Sequence, residues 1–163
     1  MAPAPVSARD APLGSIVVFD LSAYDFEEES RRGNKIPDIA HRPGQKLLLI
    51  RHGAANNGIY LPIHDPEPEQ RGGGFRYIPF ATKFPNEAPK AKLSLTDGTI
   101  LGWRSENGEM MASYIDVYPD VEMEMRLDWF QTLDRTPVGV CCIDSASWEV
   151  LKRRRRNLKN HMR

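Results

Sequence analysis

The side chains best able to do chemistry in this 163-residue chain are four histidines, two cysteines and a run of four arginines, Arg153–Arg156. The histidines stand at 41, 52, 64 and 161, with no HxxxH or HExxH spacing, so no zinc site is indicated. Gly72-Gly73-Gly74 does not open a helix and lacks the Lys-Ser/Thr of a phosphate loop, and no serine stands in a GxSxG elbow. Cys141 and Cys142 are neighbours. Adjacent Cα atoms lie about 3.8 Å apart, too close for an ordinary disulfide. Both read as small apolar residues of a buried strand, in keeping with a reduced, cytoplasmic setting.

Charge narrows the partners. Lysines and arginines number 22, as do aspartates and glutamates. The segment Lys152–Arg163 holds seven of the bases and no acid, which leaves 15 bases against 22 acids elsewhere, a net of −7. An acidic body argues against nucleic acid as a partner. The basic end could meet an anionic partner or membrane surface, or be a solvated helix end. No run approaches the roughly 18 apolar residues of a spanning helix, and no signal peptide is expected.

The elements that must position these groups follow from periodicity and turn residues. Residues 1–14, rich in Ala and Pro, read as a flexible tail, 15–150 as one domain and 151–163 as a basic helical extension. Strands are expected at 46–51, 59–63 and 75–80, the last an edge strand by virtue of Pro79, while 15–20 reads as a short strand or the lead into a helix. Asn57-Gly58 is a hairpin-turn signal. Leu21–Arg32 reads as a helix, acids before bases, ended by Gly33-Asn34. Further extended segments fall at 92–96, 109–117 and 127–131, 99–104 reads as a strand or a short helix, and acid and apolar residues alternate over 118–126. Thr136–Ser145 is the central buried strand, started by Pro137 and followed by N-caps for a closing helix over 148–162. The fold class is α+β: a central antiparallel sheet of about six strands, with helices from the chain ends packed on one face.

Two stretches resemble known families. Leu49-Ile50-Arg51-His52-Gly53 is similar to the opening of a histidine phosphatase, which implies His52 as the nucleophile. Neither His64 nor His161 stands in that family's later His-Gly setting. From Leu93 onward the chain resembles a GAF domain. It has the step Thr99-Ile100-Leu101-Gly102-Trp103, the turn Glu106-Asn107-Gly108-Glu109, a strand ending near Asp116, and the late strand Thr136-Pro137-Val138-Gly139-Val140. This resemblance implies a sheet with end helices on one face and a ligand pocket on the other. It lacks the NKFDE-type set of cyclic-nucleotide binders, and its cysteines do not match those of tetrapyrrole-binding or methionine sulfoxide reductase members, so no cofactor is carried over.

The expected function is therefore a regulatory small-molecule-sensing domain of a signalling protein, GAF-like and non-enzymatic. Tyr77, Trp103, Arg104, Tyr114, Asp116 and Trp129 are the candidate ligand-binding residues. The alternative is a non-catalytic module that homodimerises through the stripe Trp148, Leu151, Leu158 and Met162. A histidine-phosphatase-like hydrolase using Arg51-His52-Gly53 is the second alternative.

Overall fold

A computed structural model describes residues 5–65, 74–133 and 141–161. The longest strands are β2 (Lys46–His52) and β3 (Asn57–His64), an antiparallel hairpin at the centre of the sheet. Their apolar runs leave no face for water: Leu47, Leu48, Leu49 and Leu61 are all fully buried. β1 (Ile16–Phe19) pairs with the far side of β2, and β9 (Phe130–Thr132) with β1. The outer side of β3 is shared. Its first half pairs with β8 (Met123–Arg126), and its last two residues pair with β7 (Tyr114–Asp116). β4 (Tyr77–Pro79) closes that end, so Pro79 does lie in an edge strand. β5 (Gly102–Arg104) and β6 (Met110–Ala112) form a separate two-stranded ribbon. Every named strand pair is antiparallel, and with two α-helices among the described residues the class is α+β.

The pleat sorts the apolar residues onto two faces. Ile16, Leu48, Ile50, Ile59, Leu61 and Ile63 point one way, and join Ile78, Leu93, Leu95, Leu101 and Ile115 in the first core. Val17, Phe19, Leu47, Leu49, Tyr60 and Phe130 point the other way, under Ala8, Tyr24, Ile39 and Ala40. A bulge in β2 keeps this sorting intact. Leu49 faces Tyr60 and Arg51 faces Ile59, so Ile50 is the extra residue.

The closing helix α2 (Ser145–His161) starts where Asp144 accepts from the Ser147 amide at 2.8 Å. It lies on the first face through Leu151, 1 % exposed. The first helix, α1 (Phe26–Arg31), is shorter than the expected 21–32 because Asp25 caps it, accepting from the Glu28 amide at 3.0 Å. It borders the second face, where the Phe26 ring meets Tyr24 at 4.7 Å. The two helices thus attend opposite faces, not one as expected.

Three further expectations are corrected. Asn57-Gly58 is not the hairpin turn. Both residues are already in β3, with Gly58 opposite His52, and the turn is made by 53–56 with Ala55 at φ 52°. Gly58 is needed for packing: a Cβ there would stand 2.6 Å from Leu127 Cδ2 and 2.8 Å from Leu49 Cδ1. Residues 5–14 are not a free tail. Ala8 is fully buried, Val6 and Thr132 exchange bonds of 3.0 and 2.8 Å, and Ser7 pairs with Gln131. The expected strand at 127–131 begins only at Phe130, because Leu127–Trp129 is a 3-10 turn.

Of the central strand, 136–140 lie outside the described residues. Cys142 bridges to Ser15 on one side, and Ile143 to Leu95 on the other. Cys141 is buried and Cys142 half-buried. No helix among the described residues is long and apolar enough to cross a membrane.

Candidate functional site

The second face of the sheet is not evenly covered. After α1 the chain crosses it as Pro37–Gln45. A 3-10 turn at Asp38–His41 presses Ile39 and Ala40 into the core and leaves a gap beside them. The gap is a cavity of about 260 Å³. Its floor comes from neighbouring strands: Leu47 and Pro62 are partners across β2 and β3, and Met123 and Met125 stand opposite Tyr60 and Gly58. Asp38, Arg42, Gln45 and His64 supply the polar part of the wall.

These polar groups differ in how they are held. The Gln45 amide donates to the carbonyls of Ile63 and Lys46, pinning the incoming segment to the hairpin. His64, at the end of β3, is half-buried. Burial lowers its pKa, Asp116 opposes that, Arg42 and Arg76 add to it, and Asp65 opposes; the net is a ring held neutral at pH 7. Asp38 and Arg42 are exposed, and no hydrogen bond or ion pair holds the side chain of either among the described residues.

Next to His64 the sheet carries a fixed ion pair. Asp116, 2 % exposed, takes Arg76 Nε at 3.1 Å on both oxygens and Nη2 at 2.9 Å, and accepts the Tyr118 amide at 3.1 Å. That carboxylate raises the Arg76 pKa, and the guanidinium lies 5.0 Å from the Tyr118 ring centre and 5.6 Å from that of Tyr77. Asp65 is also engaged, accepting from the buried Ser113 hydroxyl at 2.6 Å.

The structure therefore divides the six residues expected around a ligand. Tyr77, Tyr114 and Asp116 share the edge β4–β7 and the sheet face of His64, next to the cavity but not in its wall. Trp103 and Arg104 belong to the separate ribbon, where Trp103 Nε1 donates to Ala112 O at 3.2 Å and Arg104 to Gly108 O at 2.9 Å. Trp129 packs edge-on against Tyr24, with centroids 4.9 Å apart. Asp116 is committed to Arg76, so its role is to hold the sheet edge.

No protein family, characterised protein or solved structure matches this chain.

The Arg51-His52-Gly53 triplet and His64 are not brought together. His52 is level with Gly58, and His64 is six residues further along β3, about 20 Å away at strand rise. Arg51 is already paired, at 2.5 Å, with Glu122, which also meets Arg155 of α2 at 3.1 Å. Burial pushes the Glu122 carboxyl up, but the two guanidinium groups outweigh it and hold its pKa below the ordinary value. This cluster is a clasp between β2 and the closing helix. Among the described residues no three His, Cys, Asp or Glu side chains gather as a metal site requires.

The helix stripe is also spent inside the chain. Leu151 is buried in the first core, Trp148 and Leu158 pack against it, and Met162 lies outside the described residues. What α2 shows to solvent is a groove of about 480 Å³ between Pro89-Lys90 and Val150, Arg153, Arg154 and Asn157.

Arg42, Gln45, His64, Met123 and Met125 were not picked out as site residues from sequence. The alternation of acid and apolar residues over 118–126 is the one signal that pointed to the two methionines, since it marks a strand with one face toward the core.

Proposed function

We propose that this chain is a regulatory module that senses a small molecule, in the manner of a GAF-like domain, and that the ligand sits in the cavity under Pro37–Gln45. The observation that carries this reading is the cavity itself. It is roofed by a loop segment, floored by four apolar side chains, and bordered by a few polar groups, the composition typical of small-molecule sites. At about 260 Å³ it lies just under the usual range of about 300–1,000 Å³, which favours a compact ligand. Two features agree with the GAF resemblance: a central antiparallel sheet, and a pocket on the face opposite the closing helix. The placement of α1 on the pocket's side departs from it.

Native mass spectrometry of the purified protein, followed by denaturing mass on the same sample, tests the proposal. Extra mass that is lost on denaturation, and that is absent from a Met125→Trp variant filling the cavity, supports it. Extra mass retained in that variant overturns the assignment to this site.

A second reading, a non-catalytic interaction module, is favoured by the groove along α2, where the bases Lys90, Arg153 and Arg154 outnumber the one acid, Glu149, beside Pro89, Ala146 and Val150, and would suit an anionic partner or a second copy. A clean apo mass with a concentration-dependent dimer would shift the choice to it.

A further inference from the structure

The charges around the cavity define its ligand more closely. Resting on the sensor reading above, we propose that the cavity binds an apolar α-amino acid, its carboxylate on Arg42, its ammonium on Asp38 and its side chain on the floor. Asp38 and Arg42 are the one acid and the one fixed cation of the lining, and neither has a partner among the described residues. They are four residues apart and do not pair, and Arg42 leaves the turn with φ −135° and ψ 62°, away from helical geometry. A zwitterion answers both at once. A lone carboxylate or a lone amine would leave one charge of the pair unanswered. The guanidinium fork suits a carboxylate, which it can grip through two parallel bonds. The neutral ring of His64 adds no competing charge.

Size and chemistry of the floor agree. A dry cavity of about 150 Å³ holds benzene, so about 260 Å³ has room for a ring or branched chain with the amino-acid head at the rim. Met123 and Met125 are adaptable side chains whose sulfur atoms favour aromatic contacts. Because Asp38 and Arg42 are exposed, each charge contact is screened and adds about fivefold at most.

The test is calorimetric titration of the full chain with L-phenylalanine, 3-phenylpropionate, phenethylamine and benzyl alcohol. L-Phenylalanine is expected to bind tightest, by about threefold to fivefold over each singly charged analogue. Arg42→Gln should erase its advantage over phenethylamine, and Asp38→Asn its advantage over 3-phenylpropionate. Both positions are exposed, so these variants retain the fold. If 3-phenylpropionate or phenethylamine binds the unaltered protein as tightly as L-phenylalanine, the zwitterion proposal falls while the cavity remains a ligand site. If none of the four binds, the amino-acid proposal falls, and the native-mass comparison with Met125→Trp decides the sensor reading separately.

Discussion

Removing Arg76 should damage the fold more than removing its partner Asp116, although each change breaks the same ion pair. The reason is the unequal burial of the two groups: the Asp116 side chain is 3 % exposed and that of Arg76 is 43 % exposed. In Arg76→Met the carboxylate stays in the protein with only the Tyr118 amide to answer it. Stranding one member of a buried pair costs about 3–5 kcal/mol. Water that already reaches Arg76 can partly replace it, so about 3 kcal/mol is expected. In Asp116→Asn the guanidinium is left at the surface, where water hydrates it, and the amide still accepts from Tyr118. The loss is then that of a charge-assisted bond, about 1–2 kcal/mol. Urea unfolding followed by tryptophan fluorescence measures both. With an m value near 2 kcal/mol/M, Arg76→Met should lower the midpoint by about 1.5 M and Asp116→Asn by at most about 1 M. The double variant should cost less than the sum, by about 1 kcal/mol or more, because its two parts act on one contact. If Asp116→Asn costs as much as Arg76→Met, the carboxylate does not depend on Arg76 and the reasoning from burial fails.

Leu151→Ala should lower stability by about 3 kcal/mol, as expected for a buried leucine, and leave the solution mass unchanged. An altered mass with intact stability would restore the helix stripe as an interface. Gly58→Ala should cost about 1–3 kcal/mol through overpacking against Leu49, Tyr60 and Leu127, and an unaffected urea midpoint would mean that these side chains move aside freely. Stability should also fall as the pH drops below about 6.5. The unfolded chain then takes a proton on His64, whereas the folded chain, with its lowered pKa, resists. His64→Gln should flatten the stability profile between about pH 6.5 and 5, and an equally steep profile in that variant would place the acid sensitivity elsewhere.

The parts of the fold that could be read from sequence are those where one residue pattern has one physical solution. Lys46–Arg51 and Ile59–Ile63 are apolar on both faces, and such short runs between turn residues become central strands. The period of Trp148, Leu151 and Leu158 identified a helix. Periodicity shows that a stripe must be covered but not by what, and here the chain's own sheet covers it. Asn57-Gly58 misled because glycine serves two needs, turning and close approach, and only the packing of Leu49 and Leu127 reveals which applies. The candidate site was the least legible part. Large aromatics such as Trp103 and Trp129 suit a ligand site by residue type, yet their places are set by the ribbon and by Tyr24. The cavity instead depends on how an aperiodic, Pro-containing segment, Pro37–Gln45, lies over two strands. No local pattern encodes such a crossing.

The bonds between Val6 and Thr132, with the pairing of Ser7 and Gln131, have a consequence for handling this protein. They occupy main-chain groups of β9 that would otherwise be open to any passing extended peptide. Shortening the chain to Gly14 would remove no part of the sheet itself. It would nevertheless unmask a template for intermolecular strand addition, the usual starting point of amyloid-like self-assembly. A truncated protein that precipitates would then reflect an uncovered border together with the core cover lost with Ala8.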